Sequence, residues 1–195
     1  MNQPLGLILA GGKATRMGGG DKGRLMLRGR SLFDHVLERL APQVAALALN
    51  ANGDPARFAD LNLPVIPDSL PDHPGPLAGI LAGLDWAAAQ GAETIVTVAA
   101  DTPFFPEDLT PRLLQAATGM THPLALAASG GHRHPTFGLW PVALREDLRT
   151  ALQKGTRKVV IWTDQHNAAT ADFPMTGIDP FFNVNTPDDL EKAGA

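Results

Sequence analysis

The sequence contains no cysteine. That absence excludes disulfides, zinc-thiolate centres and thiol catalysis, and it suits a reducing compartment. An excess of cations is also missing: 16 lysines and arginines stand against 20 aspartates and glutamates, a net charge of -4. A nonspecific nucleic-acid or anionic-membrane surface is therefore disfavoured, and any phosphate ligand must be met by cations gathered locally. Long apolar runs are lacking as well. The run Leu5–Ala10 is too short for a signal-peptide core, no basic segment precedes it, and glycines follow at once. No other stretch is long enough to span a bilayer, so the expected location is the cytoplasm. There is no internal repeat and no low-complexity tail. With 44% hydrophobic and 18% charged residues the chain can bury a core, and its 195 residues fit one domain spanning 1–195.

Short apolar runs of strand length recur at Leu5–Ala10, Ala45–Asn50, Pro64–Ile66, Thr94–Ala99, Leu124–Ala128 and Thr136–Trp140. Helical spacing separates most of them. Leu32, Phe33, Val36, Leu37 and Leu40 mark one face of a helix, with Ser31 and Asp34 placed as a capping box. His35, Glu38 and Arg39 are then expected to face water. Pro76–Ala89 predicts a second helix with Pro76 at its first position, Pro106–Ala117 a third and Ala143–Gln153 a fourth. Thr186, Pro187, Asp188 and Asp189 supply the N-cap and acidic first turn of a last one. Alternating strands and helices imply an α/β fold, a mostly parallel sheet covered on both faces in three layers, Rossmann-like in architecture. Ligands in such sheets bind beyond the carboxyl ends of the strands. Those places hold Gly11–Lys22, Asn50–Gly53, Asp68–Gly79 and Asp101.

The segment from Leu9 to Lys22 carries five glycines, Arg16, Lys13 and Lys22. Glycines let backbone N–H groups approach an anion, and the cations balance a triphosphate, so this loop is expected to hold phosphates. Gly18, Gly20 and Gly23 match the G-x-G-x-x-G spacing of dinucleotide folds. The match starts well beyond the strand end, has Asp21 and Lys22 inside the turn, and lacks a following acidic residue at a second strand's end. A Walker A loop is absent too. Neither a dehydrogenase nor a P-loop NTPase is supported.

The stretch LAGGKATRMGGGDKGRL, Leu9 to Leu25, is similar to the signature LAGG-x-x-x-RMGG-x-DK of the molybdenum cofactor guanylyltransferases (MobA). The resemblance continues through ALNAN (Ala48–Asn52), VIPDS (Val65–Ser69), GPLAG (Gly75–Gly79), ADTPF (Ala100–Phe104), HPT (His134–Thr136) and FFNVNTPDDL (Phe181–Leu190), nearly the whole chain. It implies an enzyme that transfers GMP from GTP to the terminal phosphate of molybdenum-bound molybdopterin. It assigns Leu9, Ala10, Gly11 and Gly12 to backbone contacts with the nucleotide, Lys22 to its phosphates and Arg16 to the transition state. Fixed cations there suit a displacement at phosphorus, which loads negative charge on the equatorial oxygens and the departing pyrophosphate.

Asp101 follows an apolar strand. On its residues alone it is as readily a helix N-cap ahead of Pro103 and Pro106 as a metal ligand. The resemblance makes it the ligand of Mg2+, with Mn2+ as a substitute. By the same likeness Asn50 and Asp68 contact the guanosine, and Gly75 and Gly79 leave room beside the base, although Gly79 could equally serve close packing of a helix on a strand. Asn183 and Asn185, read as a strand, put both amides on one face, near the metal and the pterin. Alternating His132 and His134 invite a metal site, but no further ligand lies close in sequence, and the HPT element places Arg133 and His134 near the pterin instead. His73 is expected in an irregular loop, His122 and His166 to be exposed and without a role, and Trp86, Trp140 and Trp162 to be core or interface. Transient contacts with cofactor-assembly proteins and recipient molybdoenzymes would follow from such a role.

Two other readings of the same residues remain. One is a nucleotidyltransferase that uses CTP with the same pterin, or any NTP with a sugar or alcohol phosphate. The other is a nucleotide-binding module without turnover, against which the joint presence of Arg16, Lys22 and Asp101 argues.

Overall fold

A computed structural model describes residues 3–11, 21–70, 75–175 and 177–194. Gly12 and Arg16 of the glycine loop, and His73, lie outside the described residues. Among these residues the strands are β1 (Leu5–Leu9), β2 (Met26–Leu27), β3 (Arg30–Ser31), β4 (Leu47–Asn50), β5 (Val65–Ile66), β6 (Thr94–Ala99), β7 (Ala125–Ser129), β8 (His132–Pro141) and β9 (Ala169–Phe173). The helices are α1 (Leu32–Leu40), α2 (Pro76–Ala89), α3 (Leu109–Ala116), α4 (Arg145–Gln153), α5 (Val159–Gln165) and α6 (Pro187–Gly194). None of them is long and apolar enough to cross a membrane.

Seven strands form one sheet in the order β5-β4-β1-β6-β8-β7-β9, and β2 pairs with β3 in a separate hairpin. Pairings β1–β4, β1–β6, β4–β5 and β7–β9 are parallel, whereas β8 runs antiparallel to both β6 and β7. Side-chain alternation splits the core into two layers. Ile8, Val96 and Val98 pack with Phe33, Val36 and Leu40 of α1 and Leu109 and Leu113 of α3. Leu7 and Ile95 pack on the other face with Leu77, Ile80, Leu81 and Leu84 of α2, Leu148 and Leu152 of α4 and Trp162 of α5. The mostly parallel, doubly covered sheet expected from the sequence is therefore present.

Local chemistry explains the elements that position the cleft. At α1 the Ser31 hydroxyl accepts from Asp34 N at 3.2 Å while the Asp34 carboxylate accepts from Ser31 N at 2.9 Å, a complete capping box. Two of the three residues expected to face water from α1 do not. His35 Nε2 lies 3.0 Å from Leu27 O and Arg39 donates to Phe105 O at 3.1 Å, so both are half-buried and link neighbouring elements; Glu38 is exposed. His166, expected to be exposed, is half-buried too, against the Trp162 ring and 2.8 Å from Asp147.

The β7–β8 ladder skips: Ala127 pairs with His134 but Leu126 with Gly138, leaving Pro135, Thr136 and Phe137 in a bulge. Proline has no N–H to give a ladder, so the bulge falls where the sequence demands it. Thr97 of β6 secures the bulge from below. Its buried hydroxyl donates to Thr136 O at 2.9 Å and accepts from Trp140 Nε1 at 2.8 Å. Thr97→Val keeps the shape and removes both bonds, leaving a buried indole N–H without a partner. We expect a loss of about 1–3 kcal/mol in chemical denaturation; an unchanged denaturation midpoint would show that the pair is replaced by other contacts.

Candidate active site

A cleft of about 440 Å³ opens at the carboxyl ends of β1, β4, β5 and β6. Leu9 and Gly11 line it from the end of β1, Asn50, Asn52 and Asp68 from the ends of β4 and β5, Gly75 and Pro76 from the start of α2. Ala99 and Asp101 close it at the end of β6, and Thr136 of the bulge and Asn183 form the far wall. A smaller recess, lined by Ala10, Lys22, Gly23 and Ala100, shares Leu9 and Asp101 with the cleft. Most of the residues singled out from sequence thus arrive at one place. Arg133 and His134 do not line the cleft.

One end of the cleft is a polar clamp. Asn50 is buried at the end of β4, and its amide donates to Ile66 O at 3.1 Å and to one Asp68 oxygen at 3.0 Å. Asn52 donates to the other Asp68 oxygen at 2.7 Å and accepts from Asp68 N at 2.9 Å. Both carboxylate oxygens are therefore oriented by amides, and each retains a lone pair for a ligand. Asn52 was not singled out from the sequence. The signal was available, since Asn50 and Asn52 sit two residues apart at a strand's end, the spacing that drew attention to Asn183 and Asn185.

α2 approaches this clamp closely because two of its residues are glycine. A Cβ on Gly83 would stand 2.5 Å from Leu7 Cδ2, and one on Gly79 would collide with the side-chain oxygen of Asn50 and stand 3.0 Å from Leu9 Cδ2. Gly79 is thus a packing position that seats Asn50. Gly75, with φ +115° and ψ 170°, takes a backbone conformation that essentially only glycine adopts and turns the chain into α2 at the cleft wall. Gly79→Ala is expected to displace Asn50 and loosen Asp68, so that a ligand held at this clamp would bind about tenfold more weakly, a cost of about 1.4 kcal/mol. Calorimetric titration checks this; undiminished affinity would remove Asn50 from the clamp.

The other end is charged. Lys22 leaves a 3-10 turn, Lys22–Arg24, that is fixed on both sides. Arg24 donates to both Asp60 oxygens, at 2.5 and 2.6 Å, and Arg57 pairs with Asp21 at 3.1 Å. Gly23 lies flat on the Phe33 ring, where an added Cβ would meet ring carbons at 2.5 and 2.6 Å. From this base the Lys22 ammonium reaches Asp101 at 3.2 Å and makes a short bond to the side-chain oxygen of Asn185. Residues separated by 79 and 163 positions in sequence so meet at one nitrogen.

Asn183 and Asn185 do not lie in a strand, contrary to expectation. Phe182–Asn185 forms no ladder; its backbone meets the segment after β6 through a bond from Val184 N to Asp101 O at 2.8 Å. The alternation nonetheless survives. Val184 is buried with Leu27 and Leu32, while Asn183 accepts from the buried Thr102 hydroxyl at 2.6 Å. Thr102, also missed from sequence, follows Asp101 directly.

Arg133 pairs with Asp164 of α5 at 2.5 Å. His134 stacks on Phe181 with ring centroids 4.3 Å apart, and burial pushes its imidazole below the ordinary histidine range against the opposing pull of Asp179. Among the described residues no group of three or more His, Asp or Glu side chains could enclose a metal ion. Among the described residues Asp101 therefore belongs to no such group.

The model of the MobA-like NTP transferase domain matches residues 6–169. The chain is 56% identical over 191 residues to a molybdenum cofactor guanylyltransferase of Bradyrhizobium sp. (strain ORS 278), covering 96% of this chain and 90% of that one. A crystal structure of molybdopterin-guanine dinucleotide biosynthesis protein A from Archaeoglobus fulgidus is similar at a TM-score of 0.71 and 25% identity, over 97% and 96% of the two chains. In fold alone, the 4-diphosphocytidyl-2C-methyl-D-erythritol synthase of Anaerococcus prevotii is also alike, with a TM-score of 0.75 at 13% identity over 99% of this chain and 95% of that one.

Proposed function

The chain belongs to the MobA-like NTP transferase family, and from that membership and the geometry of the cleft we propose that it transfers GMP from GTP to the terminal phosphate of molybdenum-bound molybdopterin. The observation that carries this reading is the convergence of Lys22, Asp101 and Asn185 at one end of a cleft whose other end is the Asn50–Asn52–Asp68 clamp. A nucleoside triphosphate spans such a cleft with its base on the clamp and its phosphates on the cation.

Guanine offers two adjacent donors on its pairing edge, N1–H and the exocyclic amine. A carboxylate whose oxygens are both oriented accepts the two together, so Asp68 favours guanine over bases with a single donor there. Leu9, Ala10, Gly11 and Gly12 supply backbone contacts to the nucleotide, and Gly75 leaves space beside the base. Lys22, with Arg16 from the loop, meets the phosphates.

Asp101, outside any group of three or more ligating side chains among the described residues, fits a hard cation that takes most of its ligands from phosphate and water, and does not fit an all-protein cage. A divalent ion, Mg2+ with Mn2+ able to replace it, would supply charge neutralisation between the two phosphates. The acceptor phosphate is already an anion near neutral pH, so no residue needs to act as a general base. Its oxygen bonds to the α-phosphorus, the bond from that phosphorus to the β-phosphate oxygen breaks, and pyrophosphate leaves with the electron pair. Lys22 and Arg16 hold the reacting groups in line and offset the charge that develops. Asn183 and Asn185 are assigned to the pterin side, together with Arg133 and His134, which lie outside the cleft lining itself. The 195 residues act as one cytoplasmic domain that meets cofactor-assembly proteins and recipient enzymes transiently.

Incubation with a divalent cation, molybdenum-loaded molybdopterin and each of the four NTPs in turn tests the base preference. GTP alone is expected to give product, and Asp68→Asn to lose that preference. Product from CTP would move the enzyme to cytidylyl transfer; product from none would overturn the reading.

A further inference from the structure

Three polar side chains, Ser129, Asp179 and the His134 assigned to the pterin side, form a hydrogen-bonded chain in which Ser129 and Asp179 have no part in the proposed transfer. The Ser129 hydroxyl, buried at the last residue of β7, lies 2.7 Å from Asp179 Oδ1 and 2.7 Å from His134 Nε2. A carboxylate can only accept, so the serine proton goes to Asp179 and His134 must donate from Nε2 to the serine oxygen. The direction of every bond is thereby fixed.

Asp179 opens the turn Asp179-Pro180-Phe181-Phe182. Its Oδ1 also accepts from Phe181 N at 2.9 Å, and its backbone carbonyl accepts from Phe182 N at 2.9 Å. Aspartate at the first position and proline at the second are the preferred residues of such a turn. The turn sends the chain directly into Asn183, Val184 and Asn185, which reach Thr102, Asp101 O and Lys22 respectively. No ladder holds this stretch; the burial of Val184 and the bond from Asn185 N to Asp189 at 2.9 Å anchor its far end, and what fixes the turn anchors its near end. Phe181, packed against the His134, Phe137 and Phe173 rings, fixes it by apolar contact. Asp179 fixes its register on β7.

We infer that Ser129 and Asp179 are positioning residues: together with His134 they pin the 179–182 turn to the end of β7 and thereby hold Asn183 and Asn185 against Thr102, Asp101 and Lys22. One oxygen of Asp179 accepts both bonds, so the device needs an acceptor and not a negative charge. The consequence for turnover rests on the proposed transfer reaction; the consequence for the segment itself does not.

The test compares Ser129→Ala, Asp179→Ala and Asp179→Asn in the full chain by amide hydrogen exchange at Val184 and by steady-state kinetics with GTP. Ser129→Ala and Asp179→Ala are expected to speed exchange at Val184 about tenfold while Ile8 in β1 is unmoved, and to lower kcat about tenfold with the KM for GTP within about twofold. Asp179→Asn, with its amide oxygen toward Ser129, is expected to stay close to the unsubstituted protein in both. Three results would overturn the inference: unchanged exchange at Val184 in both alanine variants, equal acceleration at Val184 and Ile8, or a loss in Asp179→Asn as large as in Asp179→Ala. If the unsubstituted protein turned over no nucleotide, the transfer reading would fail while the exchange data still decided the pinning role.

Discussion

Asp101→Ala is expected to lower kcat about a thousandfold, or roughly 4 kcal/mol of transition-state stabilisation. The carboxylate stands at the end of β6, where the strand delivers it to the junction of cleft and recess. On the proposed reading it holds a cation between two phosphates, so its removal would leave their repulsion to Lys22 and Arg16. Folding should be little affected. Asp101 and Lys22 keep 17% and 23% of their side-chain surfaces exposed, and the ammonium left behind keeps its bond to Asn185, so loss of this part-buried pair costs about 1 kcal/mol. The melting temperature is thus expected to move by no more than about 4 °C. Steady-state kinetics beside a thermal melt checks both; a variant that loses activity only because it unfolds would make Asp101 a structural residue and not a cation ligand.

Lys22→Ala carries the second largest effect, with a different signature. The ammonium bonds Asp101 and Asn185, and it has three donors on a flexible stem. It can keep the asparagine while turning another N–H to a phosphate oxygen, so on the proposed reading it touches the nucleotide before and during reaction. We expect kcat/KM for GTP to fall about 100-fold to 1,000-fold, shared between a higher KM and a lower kcat, whereas Asp101→Ala acts mainly on kcat. Lys22→Arg should recover little, because the 3-10 turn is fixed by Arg24–Asp60 and by Gly23 on Phe33, which leaves a planar fork no room to re-aim. Full activity in Lys22→Ala would show that the loop cations carry the phosphates alone.

The fold was legible where local signals agreed with burial. β6 and α2 have the expected bounds, and the Ser31–Asp34 box is complete. β9 was missed because Thr170 and Asp172 leave an edge strand with too little apolar character, and α5 because seven residues cannot show a clear helical period. The β2–β3 hairpin depends on Arg28 and Gly29 both at positive φ, 50° and 79°, a turn that arginine does not advertise. β8 extends back to His132 through residues without an apolar pattern, because its partner β7 selects them across the Gly130–Gly131 turn.

The site was legible as residue types, and its connections were not. Asn183 and Asn185 were noticed for an alternation that belongs to no strand; what aims them is the pinned turn at Asp179 and the burial of Val184. Asp68 was singled out as a strand-end residue, yet the property that matters is its double support by Asn50 and Asn52, a tertiary contact. Gly79 shows the same limit, because a glycine that leaves room for a ligand and one that seats a neighbouring asparagine look alike in sequence.

The most direct test of guanylyl transfer follows the fate of the phosphates. The protein is incubated with a divalent cation, molybdenum-loaded molybdopterin and GTP labelled either at the α-phosphate or at the γ-phosphate. The α-label is expected in the pterin product and the γ-label in released pyrophosphate, one for one. Transfer of the γ-label to the pterin, or release of free phosphate without a nucleotide-linked product, would contradict displacement at the α-phosphorus and with it the proposed function.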